Sequence, residues 1–342
     1  MMAEAGPADP QVHRAVLEVG LKMNRGLIGG GSARMAAMLE ALKKMVQDYV
    51  PPPKATLARD LPDQITRQCA FFAQARPLSL PMQDGVTWLE KLVANIDPAL
   101  SEEAAKAKVV EAIDRFITRR IRQASDLIVT DGVRRIHNGD VVLTHGSSRT
   151  IARIFQRAWE EGTRFRVVVV ESHPHHEGRA LLRDLPRTLP VTYCLVGGLS
   201  YVMKEVTKVL IGVQTMLSNG YAIARVGTSL VTMAASVDKK PVIVCCESYK
   251  FTEHVKIDSF CFNEKECSNP LFISRLSALH HLIRSSMAEA PLALPPHLQV
   301  LNLQYDVVPM QFIDMVITEV GVVPPTSVPV VIREYRRELE DR

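Results

Sequence analysis

The chain has 342 residues, 47% hydrophobic and 23% charged, a globular balance long enough for one large domain or two modest ones. Forty-one basic residues against 37 acidic ones leave a net charge of +4, too weak an excess to point to nucleic acid. No apolar run approaches the roughly 20 residues of a bilayer span, and the start, Met1 to Pro10, is small and acidic rather than a secretory leader. A soluble, cytoplasmic chain that makes no membrane or direct nucleic-acid contact is the expectation.

The first elements read as helices. From His13 to Tyr49 apolar residues, among them Met35, Met38, Leu39, Leu42 and Val46, recur at helical spacing until Pro51-Pro52-Pro53 stops the helix. A second helix is predicted over Lys54 to Ala75 and a short one over Thr87 to Asn95. A long helix then starts after Ser101, whose hydroxyl suits an N-cap, with Glu102 and Glu103 in the first turn where the helix dipole favours negative charge. Its apolar stripe runs Val110, Ile113, Ile117, Ile121, Ala124, Ile128. The basic stretch Arg115 to Arg122 lies on this helix and reads as a solvated face.

At Asn138-Gly139-Asp140 the period changes. Short β-rich runs follow at Val141–His145, Arg166–Glu171, Val191–Val196, Val209–Gly212, Pro241–Glu247 and Gln299–Leu303, each succeeded by a helical stretch. Continuous runs such as Val167-Val168-Val169-Val170 imply strands buried on both faces, and alternation with helices implies a parallel sheet. The fold class is therefore α/β: an N-terminal helical domain (residues 11–134) followed by a doubly wound, mostly parallel Rossmann-like domain (residues 135–342). In such sheets ligands bind at the carboxyl ends of the strands near the switch in strand order, so chemistry is to be sought in the loops after the strands.

Several residues invite a chemical reading. Of six cysteines (Cys69, Cys194, Cys245, Cys246, Cys261, Cys267) none forms a CxxC pair, and Cys194, Cys245 and Cys246 sit in apolar strands, as reduced, packed thiols do. The loop His173-Pro174-His175-His176 has irregular spacing and no Cys or acidic partner at ligand spacing, so no metal site is expected. Gly29-Gly30-Gly31 lacks the preceding strand of a dinucleotide-binding turn. Ser147 and Ser148 start a helix after the first strand, a place that favours anions. Asn219-Gly220 suits a tight turn, and Thr228 a helix cap.

The post-strand loops, read in order, carry a set of motifs. These are Asn138-Gly139-Asp140 with Thr144-His145-Gly146-Ser147-Ser148, then Glu171-Ser172 with Glu177-Gly178-Arg179. Ser218-Asn219-Gly220 with Arg225-Val226-Gly227-Thr228 comes next, then Cys245-Cys246-Glu247-Ser248-Tyr249-Lys250-Phe251. Asn302-Leu303-Gln304-Tyr305-Asp306-Val307 and Ile317-Thr318-Glu319-Val320-Gly321 close the series. Together, from about Val12 to Arg333, they resemble the family uniting the regulatory subunits of initiation factor 2B with the isomerases of methylthioribose-1-phosphate and ribose-1,5-bisphosphate. Segments such as Cys245–Phe251, Gly31–Arg34, Arg76–Ser79 and Ser327–Val331 resemble one branch of the regulatory subunits. Asn263 to His297 follows no pattern of the family.

The resemblance implies a test for enzyme chemistry. The isomerases place a cysteine after Thr-His in the first loop and an aspartate after Gly-Ala in the fourth. Here Gly146 follows Thr144-His145, and Gln214 follows Gly212-Val213. Loss of a positioned acid or base typically costs about 10²–10⁴ in rate, so the expectation is no isomerase activity, no catalytic residues and no cofactor. Gly146, Ser147, Gln214, Asn219 and Gly220 would line a vestigial pocket. The alternatives are an isomerase with displaced catalytic groups or a metabolite-binding homo-oligomer.

The resemblance further implies a regulatory, scaffolding role in the guanine nucleotide exchange complex that acts on initiation factor 2 and senses phosphorylation of its alpha subunit. The exchange chemistry is expected in other subunits. The expected partners are the other initiation factor 2B subunits, especially beta, and the alpha subunit of initiation factor 2. Val300, Leu301, Leu303 and Tyr305, with Val328 to Ile332, are candidates for the subunit interface. Arg25 and Arg34 are candidates for anion or partner contact.

Overall fold

Helices come first and the sheet follows. The computed structural model describes residues 12–51, 57–97, 99–171, 176–259, 263 and 303–340. Helix α1 (Arg14–Asn24) is capped by His13, whose Nδ1 accepts from the Ala15 N–H at 3.2 Å. The single helix expected over His13 to Tyr49 is in fact two. It breaks over Arg25–Gly30, and α2 (Gly31–Asp48) starts afresh. Four glycines in seven residues, Gly26 and Gly29 to Gly31, make continued helix too costly there.

Helices α3 (Leu57–Ala75) and α4 (Leu80–Ala94) follow. The latter begins earlier than its periodicity implies, because Pro81 suits a first turn. Helix α5 (Glu102–Phe116) is capped by Ser101 Oγ, which accepts from the Ala104 N–H at 3.3 Å, and Glu102 and Glu103 stand in its first turn. It continues through π-helical turns (Ile117–Gln123) into α6 (Ala124–Val133). Met38, Leu39, Leu42, Ile65, Phe72 and Leu89 make the centre of the helical core. Ile113 and Ile117 belong to that core, whereas Ile128, Val129 and Val133 of α6 pack into the sheet's core. One long helix thus serves both, and the expected division at 134/135 falls just past its end.

The strands are β1 (Val141–His145), β2 (Arg166–Glu171), β3 (Val191–Leu195), β4 (Lys208–Gly212), β5 (Thr215–Leu217), β6 (Ala222–Arg225), β7 (Val242–Cys245), β8 (Phe251–Thr252), β9 (Tyr305–Val308), β10 (Met315–Thr318) and β11 (Gly321–Val323). Between them lie α7 (Arg149–Glu160), α8 (Gly178–Asp184), α9 (Leu199–Val202) and α10 (Thr228–Val237), and α11 (Val328–Glu340) ends the series. Among the described residues they form a seven-stranded sheet, β11-β10-β7-β4-β1-β2-β3, and a four-stranded one, β8-β5-β6-β9. The large sheet is parallel except for β11, as the valine-rich runs imply. The strand expected at Gln299–Leu303 lies outside the described residues except for Leu303; β9 begins at Tyr305.

Side chains alternate across the sheet. Val167 and Val169 join Ile151 and Phe155 of α7 on one face, while Val168 and Val170 join the cluster holding Val231 of α10 and Val328 of α11 on the other. No helix among the described residues is long and apolar enough to cross a membrane.

Candidate functional site at the switch in strand order

Strand order reverses between β1 and β4. Successive strands run outward from β1 through β2 to β3, and the chain then returns to place β4 on the other side of β1. A crevice at the carboxyl ends of β1 and β4 is where such a sheet binds ligands. Extending the β1–β4 register, in which Leu143 pairs with Val209, brings Gly146 level with Gly212, and Gly212 pairs with Cys245 of β7. Gly146 and Gln214 therefore stand on the two sides of the switch.

Around Gly146 the side chains of His145, Glu177 and Arg225 hold partners within the chain. Gly146 is buried at φ +62°, a backbone conformation that glycine adopts without strain. The preceding His145 is 8% exposed, and its Nδ1 lies 3.0 Å from Thr228 Oγ1. The Thr228 hydroxyl donates to the Arg225 carbonyl at 2.6 Å, which assigns the ring proton to Nδ1 and leaves Nε2 as an acceptor. Burial pushes the imidazole pKa down to about 4, so the ring is neutral at pH 7. It is no proton donor to a substrate there.

Glu177 and Arg225 face the same crevice and hold each other, with Nε to Oε2 at 3.0 Å and Nη2 to Oε1 at 2.5 Å. Arg225 also donates to Gln304 at 2.6 Å and stacks over the Tyr305 ring, 4.9 Å from its centroid. Glu171, at the end of β2, accepts from the Gly178 N–H. Ser148, rather than Ser147, caps α7, its Oγ accepting from the Ile151 N–H at 3.5 Å; Ser147 is exposed. Gly212 is required by that close approach, since a Cβ there would lie 2.4 Å from Ser148 Oγ.

The α2 N-terminus closes the other side. A Cβ on Gly31 would stand 3.9 Å from Lys250 Cε and 4.0 Å from Gln214 Cγ. Lys250 and Glu247 are buried together, Nζ to Oε2 at 2.6 Å, and Ser32 and Thr150 reach Glu247 Oε1 at 3.5 Å. Burial works against the Lys250 ammonium, but the Glu247 carboxylate outweighs it and holds the pKa above the ordinary lysine value. This pair, in the loop after β7 and touched by Ser32 of α2 and Thr150 of α7, was not singled out as a pair from sequence, although both residues stand in the Cys245–Phe251 motif.

The other sequence candidates scatter. Asn219 and Gly220 are spent on the β5–β6 hairpin: Asn219 Oδ1 accepts from the Tyr221 N–H at 3.2 Å, and Gly220 packs against Met310 and the Pro325 carbonyl. Arg34, expected at a contact surface, is only 1% exposed. Its guanidinium is drawn inward to the Pro77 carbonyl between α3 and α4, which removes it as a surface contact. Arg25 is exposed at the end of α1. Leu303 and Tyr305 are half-buried, and Val300 and Leu301 lie outside the described residues, as do His173 to His175. Val328, Val331 and Ile332, expected at an interface, are instead part of the sheet's own core. Thr228 binds His145 and Arg225 rather than capping α10. Asp306, from β9, caps it, accepting from the Gly227 and Ser229 N–H groups at 2.8 and 2.9 Å.

Burial raises the Cys245 and Cys246 thiols well above their usual value and Cys69 to about 12, as packed thiols require. Among the described residues no three His, Cys, Asp or Glu side chains cluster so as to hold a metal. A cavity of about 650 Å³ lies aside from the switch, between the α3–α4 connection, residues 254–259 and β9. It shares Gln214 with the crevice but none of its ion pairs.

Residues 28–325 match the model of the initiation factor 2 subunit family. The chain belongs to that family. It is 40% identical to "Translation initiation factor eIF2B subunit delta" of Dictyostelium discoideum over 331 residues, covering 96% of this chain and 52% of that protein. The chain thus spans about half the length of that relative. Delta is the branch to which the Cys245–Phe251 and Ser327–Val331 segments pointed. A solved structure, the tetrameric eIF2B-beta2-delta2 complex from C. thermophilum, matches with a TM-score of 0.79 at 28% identity, over 90% of this chain and 92% of that one. The chain is also 26% identical to "Ribose 1,5-bisphosphate isomerase" of Pyrococcus furiosus, over 96% of this chain and 98% of that one.

Proposed function

We propose that this chain is a non-catalytic regulatory and scaffolding subunit of the exchange factor for translation initiation factor 2, acting in the cytoplasm. Higher identity to a delta subunit than to the isomerase supports the reading. The observation that carries it is the crevice at the strand switch. Where the resembling isomerases place a cysteine and an aspartate, this chain has Gly146 and Gln214, neither of which titrates. Titratable groups nearby are committed elsewhere: His145 is held neutral, Glu177 is clamped by Arg225, Glu247 by Lys250, and Asp306 is spent on the N–H groups that open α10. General acid–base chemistry needs a group free to take and give a proton near neutral pH.

What remains is a helical core joined through one long helix to a parallel sheet, a body suited to holding partners. The beta subunit is the expected neighbour, and the alpha subunit of initiation factor 2 the ligand whose phosphorylation is sensed. A phosphate adds negative charge and strong acceptors that shift docking onto basic groups. With Arg34 buried, Arg25 and the exposed Leu27 beside it are the part of the α1–α2 loop open to such contact.

Reconstituting the exchange factor with and without this chain tests the reading. Nucleotide exchange on unphosphorylated substrate should persist without it, whereas inhibition by phosphorylated substrate should require it. Equal inhibition in its absence would contradict the proposal.

A further inference from the structure

Helix α11 crosses between the two cores. Val328, Val331 and Ile332 are buried in the sheet's core, whereas Tyr335, three residues on, packs against the helical core. Its last turns meet the π-helical segment Ile117–Gln123, the point at which the long helix passes from one core to the other. There the Arg120 guanidinium stacks over the Tyr335 ring, 4.9 Å from its centroid, and its Nη2 stands 2.8 Å from Glu338 Oε2. The arginine side chain is 18% exposed and the glutamate 52%, so the contact lies at the edge of the joint.

A π-helical turn is where a long helix bends; its N–H groups reach five residues back, as Ala124 does to the Arg119 carbonyl. One helix crossing a joint leaves bending about that crossing free, and a second helix fastened to the same segment takes it up. The other ties across the joint are interior. Tyr249 is 3% exposed and packs on Phe116, with ring centroids 6.1 Å apart, and Lys250 is buried on Glu247. Opening those exposes apolar surface or strands a buried charge. A part-exposed ion pair with one cation–π contact adds only roughly 3- to 30-fold to the closed population, so this tie is the one able to open.

We propose that the last turns of α11 are a strap that sets how the helical layer sits on the sheet. With Arg120 held between Tyr335 and Glu338 the joint is stiff; when that contact opens, the helical layer bends about the π-helical turns. The strap needs no partner. Its regulatory consequence rests on the reading given above, in which the α1–α2 loop of the helical layer meets the alpha subunit of initiation factor 2: docking there reaches the sheet through this joint, and a loose joint dissipates it.

Hydrogen exchange of the full chain, read segment by segment, tests the strap. Glu338→Lys, which sets two cations together, should speed exchange over Ile117–Gln123 by about 3- to 30-fold relative to wild type. Tyr335→Leu, which keeps apolar bulk and loses the ring, should speed it about 3-fold. Arg120→Glu combined with Glu338→Lys reverses the ion pair and should bring exchange back toward wild type. Arg337→Ala, whose ion pair with Glu334 stays within α11, should exchange as wild type does. Faster exchange confined to α11 in both single strap variants would overturn the proposal. In the reconstituted exchange factor, Glu338→Lys should leave exchange on unphosphorylated substrate unchanged and weaken inhibition by phosphorylated substrate by about 3-fold or more. Unweakened inhibition with a loosened joint would overturn the regulatory role. A wild-type chain that confers no inhibition would overturn the reading beneath it, and the exchange data would still decide the strap.

Discussion

Lys250 and Glu247 lie side by side in the interior, with side chains 9% and 3% exposed. Removing one partner of a buried pair strands the other's charge. Lys250→Met should therefore cost about 3–5 kcal/mol in denaturant unfolding, whereas Lys250→Met combined with Glu247→Leu should recover most of it. Equal losses in the single and double variants would show that the pair does not act as a unit. Asp306 offers a pH-dependent counterpart. Burial raises its carboxyl pKa to about 7, the Ser229 and Gly227 N–H bonds only partly opposing it. The folded chain then keeps a proton that the unfolded chain loses above roughly pH 4, so this group's contribution to stability falls as pH rises from about 4 to about 7. Asn has no such proton and still accepts from the α10 N–H groups. The melting temperature of Asp306→Asn relative to wild type should rise between pH 5 and pH 8 by on the order of 5 °C. A constant difference would refute the assignment.

At the scale of elements, what could be read from the sequence was what local chemistry dictates. The strands Val141–His145 and Arg166–Glu171 came out as expected because short runs rich in β-branched residues admit little else. Ser101 with Glu102 and Glu103 marked the start of α5 for the same reason. The α1–α2 break was missed although Gly26 and Gly29 to Gly31 announced it, because the apolar period carries on across them. Contacts between distant segments left no local trace. Arg34 is buried by a carbonyl 43 residues away, and α10 is capped by Asp306, 79 residues from Gly227. Of the candidate site, Gly146 and Gln214 came from the resemblance to the isomerases' loops, not from local chemistry; the spending of Asn219 and Gly220 on a hairpin, and of Val328, Val331 and Ile332 on the core, required the fold.

For the whole molecule, the long helix through α5, its π-helical turns and α6 ties the helical core to the sheet, and the Glu247–Lys250 pair, with Ser32, ties α2 to the strand ends. The two layers are thereby joined at the crevice where the strand order switches. Holding partners there needs a stiff body, whereas isomerisation needs free acid and base groups on both sides of a sugar phosphate. The most direct measurement is incubation of the purified chain with ribose-1,5-bisphosphate and with methylthioribose-1-phosphate, followed by NMR. No conversion of either above the background rate is the predicted result; sustained turnover of one, abolished by replacing a residue of the crevice, would contradict the account.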